Sequence, residues 1–115
     1  TDVGKSTLHI TQTLSGCHAL VLECNHDATM MAQGPYSYSL KERISSDWGH
    51  LENQAASELL KSLDNQHLQH IIAAHLSLIN NTPELARQAL ANALNCAPSW
   101  VDVASQELGF GWKDL

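Results

Sequence analysis

The chain has 115 residues, 43% of them hydrophobic and 16% charged, with a formal net charge of −6. That length suits one small domain with a modest core. The acidic balance excludes a broad basic surface for nucleic acid, though not a nucleic-acid substrate held mainly through metal ions in a cleft.

In chain order, residues 5–16 place Leu8, Ile10 and Leu14 among polar residues, a weak helix ended by Gly16. His18 to Cys24 is a short apolar run with the length of a buried strand, followed by the polar turn Asn25-His26-Asp27. Ala28 to Ala32 suits a brief helical turn, and Gly34-Pro35 breaks the chain. Leu40 and Ile44 suit a helix over residues 37–45, and Asp47-Trp48-Gly49-His50 reads as a loop. Leu51, Ala55, Leu59 and Leu63 recur every four residues, the pattern of an amphipathic helix. Ile71 to Leu76 reads as a second buried strand. Thr82-Pro83-Glu84 then supplies an N-cap, a proline at the first helical position and an acid in the first turn, opening a helix to about Asn95. Trp100 to Val103 and Leu108 to Trp112 read as a short strand or edge piece. Strands alternating with helices make the class α/β. No apolar run approaches the roughly 20 residues that cross a bilayer, and no basic-then-apolar leader is visible. Cys17, Cys24 and Cys96 form no CxxC pair, so reduced thiols in a cytoplasmic protein are expected.

Three histidines are placed to carry chemistry. His75 ends a strand, where ligands of α/β proteins collect, and an imidazole there can bind a metal through one nitrogen while the other is held by an acceptor. It can equally be a satisfied core histidine. His50 precedes the helix of residues 51–63, whose free amides suit a phosphate, and it can donate a proton to a leaving oxygen; otherwise it is an exposed loop histidine. His26-Asp27 is a further candidate pair, or a capping turn for the next helix. His9, His18, His67 and His70 read as solvated or structural. Asp2-Val3-Gly4-Lys5-Ser6-Thr7 resembles the end of a phosphate-binding P-loop, without the first glycine and strand that such a loop needs.

Four segments together carry a resemblance: Thr1-Asp2-Val3-Gly4, LVLECNHD (20–27), GPYSYSLKERISSDWGHLEN (34–53) and AAHLSLINNTPELA (73–86). In this order they resemble the metallo-β-lactamase-fold hydrolases, and among these the YycJ/WalJ-like branch. The resemblance implies that residues 1–115 are the C-terminal half of an αββα sandwich, a mixed sheet with flanking helices. It implies that Asp2 bridges two metals, that His75 is the last metal-binding histidine and that His50 reaches the scissile phosphate. It sets Asn25, His26 and Asp27 at the family's strand-end signature, as support behind the ligands. The implied chemistry is phosphodiester hydrolysis of nucleic acid by two divalent ions, Zn²⁺ or Mn²⁺. The family's HxHxDH motif is absent from these 115 residues, so weak or no metal binding is expected of them alone. Association with the missing half, or a homo-oligomer, would cover the faces left open. Two other functions stand beside this one: a non-catalytic interaction or assembly module, and a P-loop nucleotide-binding fragment. No membrane partner is expected.

Overall fold

In the computed structural model, residues 12–45 and 49–104 are described. Strand β1 (Ala19–Glu23) pairs in parallel with β2 (His70–Ala74), and β2 with β3 (Asp102–Val103), in the order β1-β2-β3. Helices α1 (Ala28–Gln33), α2 (Tyr38–Ser45) and α3 (Asn53–Ser62) lie between β1 and β2. Helix α4 (Pro83–Leu94) and a 3-10 turn (Pro98–Trp100) lie between β2 and β3. The expected α/β class is observed. The described sheet is wholly parallel rather than mixed, because every connection between its strands carries a helix that returns the chain to the same end. Of the helix expected over 5–16, residues 12–14 are helical and 5–11 lie outside the described residues, as does the piece at 108–112.

Alternation along the strands divides their side chains. Leu20 and Leu22 of β1, with Ile71 and Ala73 of β2, enter one core with Ala56, Leu59 and Leu60 of α3 and Ala86, Leu90 and Ala91 of α4. Ala19, Val21 and Glu23 point to the other face. There Val21 is 52% exposed, whereas the Glu23 side chain is 3% exposed. The register pairs Glu23 with Ala74, so a buried acid stands beside the residue preceding His75.

The helices start where local chemistry satisfies their first amides. The Thr82 hydroxyl accepts from the Leu85 amide (3.1 Å), with Pro83 in the first turn, and Asn95 ends α4 in the left-handed region (φ 54°). The Asp27 carboxylate accepts from the Met30 amide (3.0 Å), and Glu52 caps α3 by accepting from the Ala55 amide (3.0 Å). Helix α3 begins at Asn53, two residues later than its apolar spacing suggests, because Leu51 is drawn into a hydrogen bond with Glu23.

Two buried asparagines tie the helix starts to the sheet. Asn53 and Asn81 exchange amide hydrogen bonds (2.8 and 3.0 Å), and Asn81 Nδ2 also donates to the Cys24 carbonyl (2.8 Å). Asn81→Ala leaves the Asn53 amide and that carbonyl unpaired, so it is expected to lower the unfolding free energy by about 2 kcal/mol. Urea denaturation measures this, and a midpoint equal to the parent's contradicts it.

Candidate metal and phosphate site

The site is built at the C-terminal ends of β1 and β2, around Glu23. Its Oε2 lies 3.0 Å from His50 Nδ1 and 2.5 Å from His75 Nδ1, and its Oε1 accepts from the Leu51 amide at 3.0 Å. An ionised carboxylate only accepts, so Nδ1 is the donor in both imidazoles. For His75 this leaves Nε2 as the nitrogen for a ligand. The two rings stand edge to face with centroids 5.0 Å apart. Glu23, His50 and His75 can offer ligand atoms within 4.8 Å of one another, and among the described residues they are the only such cluster of His, Cys, Asp or Glu.

Each histidine is delivered by a specific backbone device. His75 follows β2 directly and has φ 59°, a left-handed conformation that is costly for a side chain of this size and is held by its surroundings. Its carbonyl accepts from Asn25 Nδ2 (3.0 Å), and Ser77 N donates to the Asn25 carbonyl (2.7 Å). His50 donates its amide to the Ile44 carbonyl at the end of α2 (2.9 Å). A Cβ on Gly49 would overlap the carbonyl oxygens of Arg43 and Ile44, so only glycine lets the chain pass so close to α2.

The other expected site residues divide. Asn25 is buried and links the two strand ends through its side chain and backbone. His26 is buried, with Nδ1 3.2 Å from Asn25 Oδ1. Because Asn25 spends its amide nitrogen on the His75 carbonyl, His26 Nδ1 is the donor there. Asp27 caps α1, and its carboxylate bonds the Met30 amide. The α3 start does not present free amides for a phosphate as expected of the segment after His50, because the Glu52 carboxylate occupies it. His50 instead turns to Glu23. Asp2 lies outside the described residues, as do the P-loop-like residues 2–7. Glu23 itself is the residue that pattern reading missed; an acid inside an apolar strand was the available signal, since buried acids need partners.

Burial first, and then the neighbouring His50, hold the His26 imidazole below its ordinary value of 6.5. The unfolded chain binds this proton near 6.5 while the folded chain resists it. Stability is therefore full above 6.5 and is lost as pH falls below it. Denaturation midpoints followed down to about pH 5 are expected to fall less steeply in His26→Asn, which keeps a donor to Asn25. Identical pH slopes contradict this.

No family model and no solved structure matches the chain. It is 37% identical over 111 residues to exodeoxyribonuclease YycJ of Bacillus anthracis, covering 96% of this chain and 38% of that protein. It is 35% identical over 104 residues to exodeoxyribonuclease WalJ of Streptococcus pneumoniae strain D39, covering 90% of this chain and 38% of that protein. The chain thus spans well under half the length of these curated relatives. Both matches run along nearly all of its own residues, so over its length the chain is similar to a part of the YycJ/WalJ exodeoxyribonucleases.

Proposed function

We propose that this chain is the C-terminal part of a dinuclear metal-dependent phosphodiesterase that acts on DNA. The observation that carries the reading is the single buried Glu23 carboxylate holding both His50 and His75 through Nδ1. That is the arrangement in which a carboxylate fixes the tautomer and orientation of a metal-binding histidine. The relatives' names as exodeoxyribonucleases support the substrate class.

The donor set fits part of a metal site: imidazoles and a carboxylate suit Zn²⁺ or Mn²⁺, but one three-residue cluster is too few ligands for two ions. His75 would hold an ion through Nε2, and Asp2 is proposed as the bridging ligand. When bound, such ions supply Lewis acidity that polarises a phosphate and acidifies water. Glu23 keeps both rings in one orientation. Asn25 pins the carbonyl of His75 and so its strained backbone. His50, with Nδ1–H committed to Glu23, is placed to donate from Nε2 to the leaving oxygen when the ring carries its second proton.

Residues 1–115 are read as one partial domain whose HxHxDH partner segment lies elsewhere in the protein. On the sheet face opposite α3 and α4, Val21 is 52% exposed while its register partner Ile72 is 2% exposed. No helix among the described residues is long and apolar enough to cross a membrane. The unpaired cysteines accord with a cytoplasmic setting. The interaction-module reading gains no observation of its own.

In the full-length protein, His75→Ala is expected to lower metal content, and unchanged stoichiometry by elemental analysis contradicts the ligand role. His50→Ala is expected to keep its metal and lose about 10²- to 10⁴-fold in turnover of a DNA substrate. Loss of metal in that variant contradicts the proton-donor role. A full-length sequence without HxHxDH overturns the hydrolase reading.

A further inference from the structure

The cavity that His50 and His75 line has a volume of about 310 Å³, and its remaining wall includes Tyr36, Ile44, Leu78 and Ile79. We propose that Tyr36, Leu78 and Ile79 are the surface on which the base of the terminal nucleotide packs while its phosphate lies at the two histidines. This rests on the hydrolase reading above and names its substrate-facing subsite.

Three observations support it. Leu78 is 85% exposed and Ile79 49%, and both follow the His75-Leu76-Ser77 segment directly, so the apolar surface is continuous with the polar end of the cavity. Scattered exposed apolar side chains need no explanation, but ones that share a cavity with two convergent imidazoles form the mixed lining of a ligand pocket. Second, the turn that presents them is braced. Ser77 Oγ accepts from the amides of Ile79 (3.3 Å) and Asn80 (3.0 Å), and the Asn80 carbonyl accepts from the Asp27 amide (2.9 Å). The buried Asn80 side chain sits against Gly34, where a Cβ would overlap its Oδ1, and its Nδ2 lies 3.6 Å from Met31 Sδ. Leu78 and Ile79 are thus held outward by a fixed turn, which limits the ordering cost of binding.

Third, the described lining offers no cationic side chain to the substrate. The chain carries a net charge of −6, and no Lys or Arg is among the described residues lining this cavity. Packing of bases on aromatic and apolar side chains supplies affinity without cationic contacts and without sequence preference, because every base has a π-face. The volume lies at the low end of ligand pockets, room for one nucleotide rather than a duplex.

The test uses the full-length protein and oligonucleotides whose terminal nucleotide carries a base or is abasic. The parent is expected to show a KM about tenfold lower for the base-bearing end. Tyr36→Ala and the double variant Leu78→Ser/Ile79→Ser are expected to raise KM on that end until the two substrates match, and Tyr36→Phe to retain the preference. Equal KM values in the parent overturn the base wall and leave the hydrolase reading standing. So do variants that lower Tm and slow both substrates equally, which would mean that the rest of the protein covers these residues. Quenching of a terminal 2-aminopurine on binding, measured with EDTA present, separates the remaining case. Quenching lost in Tyr36→Ala, in a protein that hydrolyses neither substrate, upholds the wall and overturns the hydrolase reading. Absence of both quenching and hydrolysis overturns both.

Discussion

A carboxylate buried at the end of a strand requires donors around it, and the geometry of this site follows from how Glu23 obtains them. An unpaired buried charge costs several kcal/mol, so the surrounding chain must converge on it. The Leu51 amide and two imidazoles do so, from the loop before α3 and from the end of β2. The same demand fixes the tautomer of both histidines, draws Leu51 away from the helix that its spacing suggests and keeps the rings in edge-to-face contact. His75 meets Glu23 from a left-handed backbone, and Asn25 Nδ2 donates to its carbonyl. The site is thus strained and braced at the same residue, as functional sites often are.

Much of this was legible in the residues, and the limits have a physical pattern. Thr82-Pro83-Glu84 is a local signal read by local rules, and the cap at Thr82 is observed there. Strand β1 and helix α3 follow from apolar periodicity to within two residues at each end. His50 and His75 stood out because of their places beside a helix and a strand end. Glu23 did not, because its three partners lie 27 to 52 residues away in the chain, beyond any local pattern. Periodicity places Glu23 in strand β1, as observed, but carries no signal that the acid is also the hub of a site. Asn25-His26-Asp27 looked like one motif, yet its members have separate tasks: Asn25 braces, His26 is buried beside it and Asp27 caps a helix.

One parallel sheet has a helical layer packed into a core on one face and a half-exposed Val21 on the other. One carboxylate and two histidines converge at the strand ends. Relatives are matched over 38% of their own length. His50 and His75 form the polar end of the cavity, with the apolar side chains of Leu78 and Ile79 beside it.

The most direct measurement is the imidazole ¹⁵N spectrum of the full-length protein during titration with Zn²⁺. If Glu23 clamps both rings, Nδ1 of His50 and of His75 is protonated before metal is added, and Zn²⁺ shifts Nε2 of His75. A shift at His75 Nδ1, or a tautomer mixture that Glu23→Gln leaves unchanged, contradicts the clamp.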